Sequence, residues 1–241
     1  MNRALKNATM VLMLTGAALH VFGGRLVAQE SLESVQLDFE DGEVERWIDI
    51  KLADRATRFT LARESEESVL RADSENAAAA LWYELDLPPR TDHVVTWRWK
   101  VAGALNGNAV EREKKGDDYA ARFFVIFEDE PFSKKARAIC YVWSASEPVG
   151  AAYPNPYFSS VATIVLQSGD TNAGRWVIEE RNFVDDYIGA FGRAPRTITA
   201  VAVMVDTDNT KQTATAWFDK ISVGLRSADS PRSGSSNSQG T

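Results

Sequence analysis

Val95-Thr96-Trp97-Arg98-Trp99-Lys100-Val101 decides the fold of this chain. Every second residue is large and apolar, and the three between them are polar or basic. That is the period of a strand with one dry face and one wet face. The same alternation recurs upstream, in Val35, Leu37 and Phe39 and again in Leu81, Tyr83 and Leu85, where Pro88-Pro89 ends the run. Phe123 to Phe127, Val161 to Leu166 and Ile198 to Val205 are apolar on both faces, as central strands covered on both sides should be. Trp176 to Ile178 and Trp217 to Leu225 complete the set, and turn-formers such as Pro154-Asn155-Pro156 separate the runs. One segment breaks the period. Val184, Tyr187, Ile188 and Phe191 recur at helical spacing, with Asn182 as a cap and Gly192 as a stop, so a short helix is predicted near 183–191. Roughly ten strands with one short helix read as an all-β antiparallel sandwich of jelly-roll, galactose-binding-like type, in which first and last strands lie close.

The scarce residues exclude much chemistry. Among 241 residues there is one cysteine, Cys140, so no intrachain disulfide and no CxxC site can form. Two histidines, His20 and His93, cannot build a zinc site of the usual kind, and no phosphate-binding glycine motif occurs. The 27 basic and 34 acidic residues leave a formal charge of −7, with no basic cluster, which argues against a nucleic-acid partner and anionic membrane surfaces.

Residues 1–28 read as a secretory signal: Arg3 and Lys6 precede an apolar run from Ala8 to Phe22, and Ala28 suits cleavage. The competing reading, a retained anchor, needs about 20 apolar residues, more than this run offers. No stable membrane insertion is expected after cleavage, and the location expected is periplasmic or secreted. Apart from Pro231, residues 227–241 carry no apolar side chain larger than alanine, and they are expected to be a disordered tail. One domain over residues 29–226 remains.

The most distinctive run is Glu113 to Arg122, EKKGDDYAAR, followed by Tyr141-Val142-Trp143-Ser144 and Asn155-Pro156-Tyr157. Later come Arg181-Asn182, Asp185-Asp186-Tyr187, Phe191-Gly192 and Asp206-Thr207-Asp208-Asn209-Thr210. In that order these motifs resemble the secreted bacterial family known as domain of unknown function 3047, over about Val35 to Leu225. That resemblance implies domain limits and no activity. At fold level, Asp38-Phe39-Glu40-Asp41-Gly42 and Trp217 to Val223 are similar to the edge strands of jelly-roll carbohydrate-binding modules. The similarity implies a structural calcium ion shared by those two strands.

Arg122 begins an otherwise apolar strand and needs a carboxylate, with Asp117 or Asp118 nearest. Lys115, Asp117, Asp118, Tyr119, Arg122, Trp143, Asn155 and Tyr157 are the candidate ligand residues. Aromatic faces suit pyranose rings, and Asp, Asn and Arg bond hydroxyls in pairs. Trp97, Trp99 and Trp217 share faces with aliphatics and read as core. A strict period of two puts Asp219 on the face of Trp217, Ile221 and Val223. With Glu40 nearby, acids gathered without a base point to a possible structural calcium held by Glu40 and Asp219, unless an arginine from another strand answers Asp219. Asp206 to Thr210 reads first as a turn and second as a source of oxygen ligands.

These features favour a non-catalytic, exported carbohydrate-binding protein with a glycan partner. An enzyme on the same fold is the alternative: a polysaccharide lyase with Tyr119 or Tyr157 as acid/base and Arg122 or Lys115 against a uronate, or a glycosidase with paired carboxyls. A structural envelope protein without a small ligand is the third. Nothing in the sequence fixes an oligomeric state.

Overall fold

The computed structural model describes residues 34–40, 43–107, 110–128 and 136–225. The expected leader and tail lie outside the described residues. Thirteen strands, one α-helix of nine residues and a short 3-10 helix at Glu43–Arg46 are described. The six-stranded sheet is built from β1 (Ser34–Leu37), β3 (Arg58–Glu64), β4 (Glu67–Glu75), β6 (His93–Val101), β11 (Val177–Arg181) and β13 (Thr213–Leu225). Its order is β11-β6-β13-β4-β3, with β1 added to β13. The seven-stranded sheet contains β2 (Ile48–Lys51), β5 (Ala78–Leu87), β7 (Tyr119–Glu128), β8 (Ala136–Ser144), β9 (Ala152–Pro154), β10 (Val161–Ser168) and β12 (Ile198–Asp206). Its order is β2-β5-β12-β7-β8-β10-β9. All pairings are antiparallel except β8 with β10. The fold is the expected all-β jelly-roll sandwich, and Ser34 of the first strand lies opposite Gly224 of the last.

The alternation on β6 places Val95, Trp97, Trp99 and Val101 in the core between the sheets. Trp97 stacks on Phe123 of β7 at 4.4 Å and meets Trp99 edge-on at 5.4 Å. Such aromatic pairs add about 0.5–1.5 kcal/mol beyond their buried area. The runs that are apolar on both faces prove to be inner strands of the seven-stranded sheet. Phe123, Val125 and Phe127 face the other sheet, while Phe124 and Ile126 join Trp82, Cys140 and Met204 in a second apolar cluster on the outer face.

The helix α1 (Phe183–Phe191) is where the sequence puts it. Asn182 Oδ1 accepts the N–H groups of Val184 and Asp185, both at 3.0 Å, satisfying two of the orphan donors of the first turn. Gly192 closes the last turn at φ 70°, donating to the Ile188 carbonyl. Tyr187 packs edge-on against Phe127 at 4.7 Å.

The last strand departs from a strict period of two. Asp219 lies opposite Arg98, yet Ser222 lies opposite Thr96, so β13 uses three steps where β6 uses two. The extra residue is Lys220, in the left-handed region at φ 51°. Before this bulge Ala216 and Phe218 face the core; after it Ile221 and Val223 do. Trp217 and Asp219 therefore lie on the outer face, not with the core residues. Trp217 stands between cations there, with Arg71 at 5.6 Å and Lys100 at 4.3 Å from its ring. Lys100 and Arg98 lie over Trp176 in turn, at 5.1 and 4.6 Å. Cation and ring alternate across the sheet, and each indole lends its π density to a neighbouring strand.

Candidate functional site

Arg122 is the centre of the site. It leaves β7 on the outer face of the seven-stranded sheet, opposite Met204 of β12 and Val142 of β8. Its side chain is 2 % exposed, so its charge needs full compensation. Asp206 at the end of β12 gives a two-pronged pair: Nε donates to Oδ1 at 2.9 Å and Nη2 to Oδ2 at 2.6 Å. Asp117 adds its carbonyl at 2.6 Å and its carboxylate at 3.3 Å. The guanidinium also lies 4.3 Å from the ring centroid of Tyr119.

Each partner is fixed from another part of the chain. Asn155 Nδ2 donates to both carboxylate oxygens of Asp117, at 3.2 and 3.1 Å. Its own carbonyl accepts the N–H groups of Tyr157 and Phe158, which shapes the turn between β9 and β10. Asp118 accepts the N–H and hydroxyl of Thr210 and the amide of Asn209, so it pins the turn after β12. Tyr157 donates to the Lys114 carbonyl at 2.7 Å and sits 3.3 Å from Asn209 Oδ1. Three segments far apart in sequence meet here through polar side chains: 114–122, 155–158 and 206–210.

They enclose a small pocket. Asp117, Arg122, Asn155 and Asp206 supply its polar lining, and Leu52, Met204, Tyr157 and Phe158 its apolar lining. The enclosed space is about 20 Å³, room for one water-sized group.

Beside it, Glu111 is buried with Ser144 Oγ and the Ala145 N–H on its carboxylate. Burial raises its pKa above the ordinary glutamate value, and those two bonds only partly offset the effect. Tyr119 and Tyr153 share a hydroxyl contact of 3.0 Å, and burial pushes both phenols up. Cys140 lies in the outer apolar cluster, its thiol pushed up to about 12 by burial, which keeps it a thiol.

Of the residues expected from sequence, Asp117, Arg122, Asn155 and Tyr157 line this pocket, and Asp118 and Tyr119 brace it. Two do not join them. Lys115 is 65 % exposed and pairs with Glu113. Trp143 is 1 % exposed in the core between the sheets, edge-on to Trp99, with Nε1 donating to the Gly169 carbonyl. It lies one residue out of phase with Val142, the neighbour of Arg122, so its ring points to the opposite face.

At Glu40 and Asp219, the expected calcium pair, the arginine alternative is met. Asp219 Oδ2 receives Nε of Arg98 at 3.0 Å and a second bond from Nη2. Glu40 accepts the Ser68 N–H at 2.6 Å. Asp219 thus has the base whose absence pointed to a cation, although its Oδ1 makes no hydrogen bond. Among the described residues, the acids whose oxygens do converge are Asp118, Asp206 and Asp208, all within 4.8 Å of one another. Arg122 already bonds Asp206, and Thr210 and Asn209 bond Asp118.

Asp206 is the partner that sequence reasoning missed. It ends a strand 84 residues away from Arg122, and only the β7–β12 pairing brings the two together. Glu111, buried among charged neighbours in sequence, is the other residue that sequence reasoning did not single out.

The molecule is thus a jelly-roll sandwich with a braced polar pocket at one end of its seven-stranded sheet. It belongs to the family described as protein of unknown function (DUF3047), whose model matches residues 45–222. No curated protein matches the sequence. The chain is similar to the cellulose induced protein Cip1, at 12 % identity and TM-score 0.47, covering 80 % of this chain and 97 % of that one. It is similar to the family 11 carbohydrate-binding module of Lic26A-Cel5E from Clostridium thermocellum, at 10 % identity and TM-score 0.41, with 80 % and 95 % covered. A third is the xyloglucanase domain of NopAA from Sinorhizobium fredii, at 10 % identity and TM-score 0.43, with 75 % and 93 % covered.

Proposed function

We propose that this chain is an exported, non-catalytic carbohydrate-binding protein, with residues 29–226 as its single domain between a cleaved leader and a free tail. One observation carries the reading: residues from four parts of the chain converge on a pocket that joins aromatic walls to a pre-ordered polar floor. A pyranose ring lies over Tyr157 and Phe158, and one hydroxyl enters the pocket. The floor groups are already bonded to one another, so little ordering entropy is lost when the sugar arrives. Among the described residues, no helix is long and apolar enough to cross a membrane.

The same bonds weigh against a lyase that works through Tyr119 and Arg122. The Tyr119 hydroxyl is buried against Tyr153, and burial holds its proton firmly. Arg122 has Asp117 and Asp206 and is not available to a uronate.

A glycan array with the purified protein tests the reading. One class of glycan should be retained by the parent and lost by Tyr157→Ala, while Lys115→Gln retains it. Retention of no glycan refutes the proposal in favour of a scaffold without a small ligand. Release of shortened or unsaturated products from bound glycans refutes its non-catalytic part.

A further inference from the structure

A second opening lies beside the first. A cleft of about 440 Å³ is lined by Arg55, Arg58, Asp73, Ser74, Glu75 and Thr215, among others. No residue lines both openings, and neighbouring chain positions link them. Asp206 lines the pocket, while Thr207, the next residue, bonds Ser74 in the floor of the cleft at 2.9 Å. Leu52 lines the pocket and Arg55 the cleft, three residues further along the same segment.

The floor of the cleft is rigid. Ser74 is buried and donates to the Ala77 carbonyl, and Thr57 donates to the Val205 carbonyl while touching Ser74 at 3.0 Å. Two arginines and two acids line the walls, and a third arginine, Arg71, stands outside the lining on Asp73. Asp73 is fully answered by Arg71, through three contacts of 2.8 to 3.1 Å, and by the Thr215 hydroxyl at 2.9 Å. Arg71 is itself held against the Trp217 ring. Arg58 is a second guanidinium on the same carboxylate, at 3.2 Å and 72 % exposed. Arg55 reaches Glu75 only at 3.6 Å, with both side chains mostly exposed. With Arg71 already on Asp73 from outside the lining, Arg58 is the surplus cation of the cleft, on a chain whose formal charge is −7. Exposed pairs of this kind hold their partners weakly, so Arg55 and Arg58 are easily recruited by an incoming anion.

We propose that this cleft is a second saccharide subsite that takes a carboxylate-bearing sugar, so that the glycan recognised is a uronic-acid polymer. The inference rests on the carbohydrate reading above and adds the charge of the ligand. The planar fork of Arg58, with Arg55 beside it, accepts the uronate carboxylate through paired N–H donors. The hydroxyl of exposed Thr213, at the rim of the same cleft, meets the sugar's own hydroxyls. On a chain whose formal charge is −7, these arginines are what admits an anionic chain.

Titration calorimetry on the full protein compares a glucuronic-acid oligosaccharide with its carboxyl-reduced counterpart of equal length. The acidic ligand should bind about tenfold tighter, an advantage that shrinks as salt is raised. In Arg58→Gln, and more so in Arg55→Gln/Arg58→Gln, its affinity should fall to that of the reduced ligand, with circular dichroism confirming an unchanged fold. Equal affinity for the two ligands in the parent, or a preference that survives the double variant, overturns the cleft assignment. If both ligands bind and Tyr157→Ala removes both while the arginine variants change neither, the carbohydrate reading stands and the acidic subsite falls. Binding of neither ligand to the parent overturns both.

Discussion

Replacing Arg122 by Met removes a buried guanidinium and leaves its two carboxylates behind. The side chains of Arg122, Asp206 and Asp117 are 2 %, 1 % and 7 % exposed, so solvent cannot take over the lost role. Methionine fills most of the aliphatic volume, which isolates the electrostatic loss from a cavity term. Breaking a buried pair on one side costs about 3–5 kcal/mol. For a domain of this size each kcal/mol lowers the melting temperature by about 2–4 °C, so a fall of roughly 6–20 °C is expected. Urea unfolding followed by far-UV circular dichroism gives the free-energy difference directly. The partner test is Asp206→Asn, which keeps an acceptor for the Tyr119 N–H now bonded at 3.1 Å. The double variant Arg122→Met/Asp206→Asn should lose less than the two single losses together, by about 1–3 kcal/mol. An Arg122→Met protein that melts within about 2 °C of the parent, or strictly additive losses, would refute the claim that this ion pair ties the three segments together.

Three further expectations follow from the fold. His93 is buried with neither ring nitrogen hydrogen-bonded, and burial lowers its pKa below the unfolded value of about 6.5. Its folded form resists protonation, so stability is complete above that pH and is lost as pH falls below it. The melting temperature of His93→Phe should therefore gain on the parent between pH 7 and 5, and a constant difference would contradict this. Deleting Lys220 removes the bulge and forces either Trp217 and Asp219 inward or Ile221 and Val223 outward, so the cooperative urea transition should disappear; a native-like melt would show that β13 slides without cost. Asn182→Ala removes both N-terminal acceptor bonds of α1 and should cost about 1–2 kcal/mol in chemical unfolding, whereas Asn182→Ser should recover most of it.

Local chemistry was readable wherever one residue decides one feature. Asn182 and Gly192 mark the helix ends because caps act over three or four residues. The wet and dry faces of β6 follow from its own alternation. Arg122 announced its need for an acid because a charge on an apolar strand has few ways to be accommodated. What failed depends on long-range pairing or on a single inserted residue. In strands apolar on both faces the pattern gives no phase, so Trp143 could not be assigned to core or surface from Tyr141-Val142-Trp143 alone. The bulge at Lys220 shifts everything before it by one face, and an exposed lysine in a left-handed conformation leaves no mark in the sequence. Asp206 was visible as a turn acid, but its pairing with Arg122 exists only once β12 lies beside β7.

The order of strands in the chain has a consequence for biosynthesis. β12 lies between β5 and β7, and β13 between β4 and β6. Each is the internal partner around which its sheet assembles, and they are the last two strands in chain order. Until residues 198–225 have been made, neither sheet can close, and earlier strands such as β4 and β6 have no common neighbour. Pairing Ser34 with Gly224 then joins positions at opposite ends of the described chain, a contact of the kind that slows folding most. A nascent chain of this topology lacks its keystones until residues 198–225 have been made, so neither sheet is complete before then. Such a chain can still be threaded through a narrow channel at any moment before its final strands appear.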